Sequence, residues 1–490
     1  MRAEYDLKTS TQILLSRAQA ARDEGQWLRA VELYTQLSAS DPHSAELQHN
    51  LGLSLLGLGK PQEALLHCAH ALELNPSFWQ SDMIMSKAYQ QLDQITKAHN
   101  SLKSVLKSDY KNAPARLGLA DLALNQYGDP YGATAWVRQI DDPEYVMDVK
   151  LTSMMAKLYD RPSWHDPQSA IDLTEEIKSF SAEYLRLPNL QLPPLVTRTA
   201  AESQRNPGVR MRPRVGLLSP LFSASPVYFL TFSKWKKMAK HCDLILFNRG
   251  HKADWATAAF KDLGSEWLDV QHMSAEDLAR SLHKADLDVL YDLGGWMDPV
   301  GLKALSVKPA RQLYKWVGGQ SVTTGLTTFD GWVGDEANSP IALQHLYTEP
   351  LLHIKGGYTS YVTPDYLPKP APKKSKAPCI FSNPAKVSQA FLARLSTMPG
   401  KKVFIHRQYR HPQVQERILA GLGKQAKNAE FIFPTTHEEA LKAVNAHATM
   451  IDTFPYSSGL TAREALAMGT KIQVLEVGSL FCERHTAYVA

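Results

Sequence analysis

Residues 451–469 read Ile451-Asp-Thr-Phe-Pro-Tyr-Ser-Ser-Gly-Leu-Thr-Ala-Arg-Glu-Ala-Leu-Ala-Met-Gly469. The apolar run leading in, Ala448-Thr-Met-Ile451, has the composition of a buried strand of a parallel sheet. It breaks at Asp452 into a loop with Pro455, Ser457, Ser458 and Gly459, and the pattern predicts a helix from about Thr461. Small residues before a helix N-terminus let backbone N–H groups and the positive end of the dipole face an anion. Glu464 lies one turn inside that helix, where a carboxylate can take the hydroxyls of a ribose. A phosphate cradle followed by a sugar-reading acid points to a nucleotide-linked donor. An ordinary strand–helix crossover with a capped helix has the same letters, and the segment alone does not choose between them.

The segment belongs to an alternating strand–helix region. Its other predicted strands are 379–381, 403–406, 430–433 and 471–475. Before it, Leu367-Pro-Lys-Pro-Ala-Pro-Lys-Lys-Ser-Lys-Ala-Pro378 reads as a semi-rigid basic hinge. A second alternation starts at Arg214, with strands expected at 215–218, 244–247, 287–291, 312–317 and 351–354. Helices are expected at 227–239, 255–263 and 276–284. The fold class is therefore α/β for this part: two Rossmann-like, doubly wound lobes with a cleft between them at the strand C-terminal ends, where open α/β sheets bind ligands.

The N-terminal part repeats. Ala45, Leu51-Gly52, Leu55, Gly59, Ala64, Cys68, Ala71 and Pro76 mark one two-helix unit. Ala18, Ala21, Gly25, Ala30, Tyr34, Leu37 and Pro42 mark the one before it, and Met85, Ser86, Tyr89, Ala98, Leu102 and Val105 the one after. Pro42 and Pro76 stand 34 residues apart, the period of a tetratricopeptide repeat. A fourth, degenerate unit runs through Leu119, Ala120, Ala123, Ala133, Val137 and Ile140, offset by an inserted residue near Gly128-Asp-Pro130. Three or four such units make an α superhelix whose concave face holds a peptide or another protein; the alternative is that they only support or dimerise the next domain. The expected boundaries are 1–143 for the repeats and 144–211 for a helical connector with a linker over 187–194. The first lobe is expected at 212–366, the hinge at 367–378 and the second lobe at 379–490.

The totals exclude several classes. A chain of 490 residues with 44% hydrophobic and 21% charged residues is of ordinary globular composition and long enough for two or three domains. Its net charge of +5 draws on the lysines of the hinge and does not argue for nucleic acid. No apolar stretch is long enough to span a bilayer, and residues 1–8 lack the apolar core of a signal peptide. The four cysteines have no metal-type spacing and suit a reducing compartment, so a cytoplasmic location without a metal site is expected.

Several candidates follow strands and should line the cleft. Phe381-Ser-Asn-Pro-Ala-Lys386 offers Asn383 to a base or phosphate and Lys386 to a diphosphate, although a lysine opening a helix is by default solvated. Arg407 either reaches a phosphate or is exposed, and Thr435 or Thr436 caps the helix starting at His437. Asp292-Leu-Gly-Gly295 and Gly318-Gly319 end two strands of the first lobe, their glycines allowing close approach of a ligand or merely a tight turn.

In that order and spacing the residues resemble the O-GlcNAc transferase family, including its bacterial cytoplasmic relatives that glycosylate proteins. The likeness covers residues 212–490 and rests on Arg214-Val-Gly-Leu-Leu-Ser-Pro-Leu-Phe222, Asp288-Val-Leu-Tyr-Asp-Leu-Gly-Gly295, Lys308-Pro-Ala-Arg-Gln312, Trp316-Val-Gly-Gly319, Asp452-Thr-Phe-Pro455 and Ala467-Met-Gly-Thr470 behind a repeat domain. It implies a GT-B-type fold and inverting, metal-free transfer of a sugar from a nucleotide diphosphate, usually UDP-GlcNAc or UDP-glucose, to a protein side chain. No cofactor is implied beyond that co-substrate. Lys386 matches the lysine that stabilises the departing diphosphate, and Thr461 a phosphate-contacting threonine. Glu464 stands where an aspartate usually holds the ribose; Gly318, Asn383, Ser458 and Gly459 complete the expected donor set. Two departures stand out. Ser225 occupies the place of the histidine in an Asn-His-Pro motif, and Gly459-Leu460 replaces His-Thr in the donor loop. The leading expectation is a protein glycosyltransferase whose repeats present the acceptor and offer a surface for self-association, flagellins and adhesins being typical bacterial acceptors. The alternatives are a non-catalytic partner-binding protein with a degenerate lobe and a transferase acting on a glycan.

Overall fold

The structure, a computed structural model, describes residues 2–195, 212–318 and 321–489, with side chains from residue 11 onward. It divides into two compact units: Met1–Gln126 with Tyr131–Thr152, and Tyr127–Pro130 with Ser153–Ala490.

The first unit is a run of helical pairs: Arg2–Asp23, Trp27–Ser40, Ala45–Gly57, Pro61–Leu74, Gln80–Gln91, Ile95–Ser108 and Ala113–Asp121, with Pro130–Val137, whose first residue belongs to the second unit, closing the series. Small residues bring paired helices together. Ala30, Ala64, Cys68, Ala71 and Ala98 are fully buried, and a Cβ on Gly52 would stand 2.6 Å from Cys68 Sγ. Ser44 and Asn112 cap helices through their side chains, while Pro61 fills a first-turn position where no N–H is needed. The irregular fourth repeat has a local cause. The helix Ala113–Asp121 continues as a π-helical turn over Leu122–Gln126, which absorbs the extra residue by widening the hydrogen-bond ring.

The second unit carries two parallel sheets. One runs β3-β2-β1-β4-β5-β6-β7, with β1 Arg214–Ser219, β2 Asp243–Asn248, β3 Glu266–Asp269, β4 Val289–Asp292, β5 Gln312–Trp316, β6 Gly331–Gly334 and β7 Leu351–His353. The other runs β10-β9-β8-β11-β12, with β8 Cys379–Ile380, β9 Lys402–Ile405, β10 Ala429–Ile432, β11 Thr449–Ile451 and β12 Lys471–Gln473. Strand order reverses between β1 and β4 in the first lobe and between β8 and β11 in the second. Such switch points open a crevice at the strand C-terminal ends. In the second lobe the crevice lies between the loop after β8 and the loop after β11.

Two strands lack a clear sequence signature. β3 alternates Glu-Trp-Leu-Asp at the sheet edge, and β6 is Gly-Trp-Val-Gly, buried throughout. The glycines of β6 answer to crowding: a Cβ on Gly331 would lie 2.3 Å from Leu352 Cδ1.

Three segments tie the lobes down. The helix Pro167–Tyr184 packs on the first lobe, where Ser181 Oγ donates to Thr324 O at 2.6 Å and Phe180 meets Trp296. Just before it, Tyr159 stacks on Tyr456 of the second lobe with ring centroids 5.0 Å apart. Residues 367–378 lie against the second lobe: Lys374 Nζ donates to Met468 O at 2.7 Å and Thr470 Oγ1 at 2.8 Å. The tail 478–489 returns to the first lobe, where Cys482 N donates to Ser321 O at 3.0 Å and Phe481 packs edge-on against Trp332. A buried ion pair between Arg161 and Glu483 anchors that return. Among the described residues, no helix is long and apolar enough to cross a membrane.

Candidate active site

One carboxylate organises the loop after β11. Asp452 is 2% exposed, and its Oδ1 accepts from Thr453 N and Ser458 N, each at 2.9 Å. Thr486 Oγ1 donates to its Oδ2 from the tail. Burial pushes the Asp452 carboxyl above its ordinary range, against the pull of these donors and of Lys386. The loop thus folds around Asp452 and delivers Gly459 to the start of the helix Leu460–Ala467. Gly459 provides no side-chain cap, which leaves the first-turn N–H groups without that partner.

The loop after β8 delivers Lys386. Asn383 Oδ1 accepts from Ala385 N at 2.9 Å and starts the tight turn Pro384–Lys386. Arg417 donates to Pro384 O and Val387 O, each at 2.8 Å, clamping the turn from behind. Gly128 packs against the same turn with φ of +58°, and a Cβ there would lie 2.4 Å from Ala385 N. Lys386 Nζ donates to Ser457 O at 2.9 Å and sits 4.3 Å from the centroid of the Tyr456 ring. Burial lowers its ammonium to about 8, opposed by the Asp452 carboxylate.

Glu464 lies one turn inside the helix, 1% exposed. Its Oε1 is 2.8 Å from His437 Nε2, and His437 Nδ1 is 2.9 Å from the Tyr366 hydroxyl. Oε2 is buried with no hydrogen-bond partner, as is the Tyr361 hydroxyl. A buried carboxylate oxygen without a donor is costly unless a ligand supplies one.

A cavity of about 220 Å³ opens where the lobes meet. The first lobe lines it with Leu221, Pro226, Val227, Met297, Val317 and Gly318, and the second with Lys386, Tyr456, Gly459 and Leu460. Tyr358 and the tail residues Phe481 and His485 also line it. Val317 holds φ of +59°, strained for a β-branched residue. The fully buried Lys315 holds this corner, donating to Val317 O with its ammonium 3.5 Å from the Asp292 carboxylate.

Residues 15–77 match the tetratricopeptide repeat family. Over the whole length, the chain superposes on a lysine-to-methionine mutant of the Thermobaculum terrenum O-GlcNAc transferase with a TM-score of 0.59 and 21% identity, covering 98% of this chain and 85% of that one. The chain has the fold of the O-GlcNAc transferase family. The chain is also similar to the probable UDP-N-acetylglucosamine–peptide N-acetylglucosaminyltransferase SPINDLY of Hordeum vulgare, 26% identical over 286 residues. The corresponding SEC protein of Arabidopsis thaliana is 28% identical over 170 residues. The SPINDLY alignment covers 54% of this chain and 30% of that relative, so the chain spans under a third of the curated relatives' length.

Within the O-GlcNAc transferase fold, the donor set read from the sequence divides in two. Lys386, Gly318 and Gly459 face the cavity. Asn383 is used in its turn, and Ser458 is buried inside its loop with its hydroxyl 3.3 Å from Ser382 Oγ. Thr461 occupies the first turn of the helix, and Glu464 faces His437 rather than the cavity. Gly319 lies outside the described residues. Gly294 and Gly295 make a tight turn whose N–H groups bond Asp292 Oδ1, Arg407 is exposed, and Thr436 caps the helix His437–Asn445. Ser225 donates its hydroxyl to Leu221 O at 2.8 Å at the start of the helix Pro226–Met238. His437, Tyr358 and His485 escaped the sequence reading. His437 carried a visible signal, being the first residue of a helix after a strand, but His485 lies in a tail with no strand or helix pattern.

Proposed function

We propose that this chain is an inverting, metal-independent glycosyltransferase that moves a sugar from a nucleotide diphosphate, UDP-GlcNAc or a UDP-hexose, to a protein bound by the repeats. The observation that carries the reading is Glu464. Its buried, unpartnered Oε2 beside His437 and Tyr361 suits a ribose diol, one helix turn from the glycine-started N-terminus. In this reading the ribose donates to Glu464 and the diphosphate lies over the start of the helix Leu460–Ala467. As the acceptor oxygen bonds the anomeric carbon, the bond from that carbon to phosphate breaks and its electron pair leaves on the diphosphate. Lys386 and the first-turn N–H groups meet that charge, each such donor lowering the barrier by about 3 kcal/mol.

The resemblance to protein-modifying relatives and the repeat array support a protein acceptor, a flagellin or adhesin in the bacterial case, with self-association through the repeats as a second use of that surface. Four buried, unpaired cysteines support a reducing, cytoplasmic setting. Titration calorimetry with UDP-GlcNAc, UDP-glucose, GDP and dTDP sugars tests the donor half: binding of a UDP sugar is expected, and no binding of any of them would sink the enzyme reading. Glu464→Gln should weaken UDP affinity by about tenfold, since it replaces a charge-assisted bond to the ribose. Unchanged affinity would return Glu464 to a structural pairing with His437.

A further inference from the structure

The cavity holds a histidine that the donor reading leaves unused. His485 N donates to Ser457 Oγ at 2.8 Å, and its Nδ1 lies 3.2 Å from the Tyr358 hydroxyl. A Cβ on Gly459 would lie 3.8 Å from the imidazole, so the ring faces the start of the donor helix across a residue with no side chain. Lys386 lines the same cavity. The first-lobe wall next to Ser225 is made of Leu221, Pro226 and Val227 and has no group that titrates near neutrality. Among the described lining residues, the ionisable side chains are Lys386, Tyr358, Tyr456 and His485. Burial raises the Tyr358 hydroxyl above its ordinary value, and Lys386 is engaged with Ser457 O at the phosphate end.

We propose that His485 is the catalytic base of the transfer, doing from the tail what Ser225 cannot do; this rests on the nucleotide-sugar reading above. With Nδ1–H donated to the Tyr358 oxygen, Nε2 carries the lone pair. The acceptor hydroxyl's proton passes to Nε2 as its oxygen bonds the anomeric carbon, and the bond from that carbon to the diphosphate breaks with the electron pair leaving on phosphate. The imidazolium then returns its proton to solvent. Without donor the base is weak, because burial and the Lys386 ammonium push the imidazole down to about 3. A bound diphosphate brings negative charge beside Lys386, offsets that repulsion and raises the imidazole. The other charged side chains around this segment are common to both states: Asp452 bonded to Thr486, Arg463 stacked on Tyr488, Glu483 paired with Arg161, and Arg484 donating to Ala337 O and Gly478 O. The base therefore becomes competent only once donor is in place, and the acceptor reacts second.

The test uses the full-length chain and UDP. The imidazole signal of His485, assigned by its loss in H485Q, is followed by NMR against pH with and without saturating UDP. UDP should move its midpoint upward by about one pH unit or more. UDP that binds without moving it would overturn the proposal. Sugar release from UDP-GlcNAc, with water as acceptor, should slow by about 10²-fold or more in H485Q while UDP affinity holds, and H485A should recover part of the rate with added imidazole. Wild-type rates in H485Q, or a slow H485A that imidazole leaves unmoved, would also overturn it. Absence of UDP binding to the wild type is a different result, which removes the nucleotide-sugar reading itself.

Discussion

Lys386 is a cation that the fold holds at a cost. Its ordinary ammonium value lies near 10.5 and burial brings it to about 8, so burial opposes the charge that the proposed chemistry needs. The sign of the consequence follows from linkage. The unfolded chain binds the proton more tightly, so Lys386 lowers stability fully below about pH 8, and the loss fades as pH rises towards 10.5. Lys386→Met should therefore raise the melting temperature at pH 7, with the gain shrinking between those two values, while turnover falls by about 10²-fold or more. A variant that melts lower at pH 7 would assign the lysine a structural role. In the wild type kcat/KM should decline as pH passes about 8, because the free enzyme then loses the charge that receives the diphosphate. That one lysine faces the crevice was legible from its place after a strand. That its ammonium rests on Ser457 O and the Tyr456 ring was not, since both partners come from a loop some 70 residues away.

Most elements declared themselves by period. The helix Trp255–Leu263 matches its predicted span, and the strands β1, β2, β5, β9 and β11 fall within one or two residues of expectation; the runs of β1, β2 and β9 are buried on both faces, whereas β5 has Gln312 exposed and Tyr314 half-buried. β3 and β6 did not: an edge strand with charged ends and a strand begun and ended by glycine have no run to read. The insertion near Gly128 was visible as an offset in the repeat, but its use was hidden. Gly128 is the surface on which the Pro384–Lys386 turn rests, with Arg417 bonding that turn's carbonyls. Gly128→Ala adds a Cβ at 2.4 Å from Ala385 N and places it at a φ that disfavours it. We expect a loss of about 1–3 kcal/mol by chemical denaturation, with weaker UDP binding by calorimetry. An unchanged UDP affinity would mean that the turn tolerates movement of its support.

For the whole molecule, the boundary that matters is not the end of the repeat pattern. The repeat reading extends to residue 143, yet Tyr127–Pro130 belongs with the sheet-bearing unit. A chain lacking residues 1–126 should keep UDP affinity within about threefold of wild type and lose transfer to protein; one lacking 1–143 should also bind UDP poorly, because it lacks Gly128. Equal UDP binding by the two truncations would remove Gly128 from the site's support. What the sequence determined by itself was whatever repeats or alternates locally: the 34-residue period, the two alternating lobes, and the loop of 452–459 before a helix. Periodicity is written in neighbouring side chains because each element must bury one face or both. What only the tertiary structure decided was which distant groups converge: Asp452 with Thr486, Glu464 with His437, Arg161 with Glu483, and His485 with Tyr358 inside the cavity. The Glu464–His437 pair joins two helices of the second lobe; the other three depend on how the tail crosses back to the first lobe, and the energy that fixes the crossing lies in buried contacts between segments with no shared local pattern.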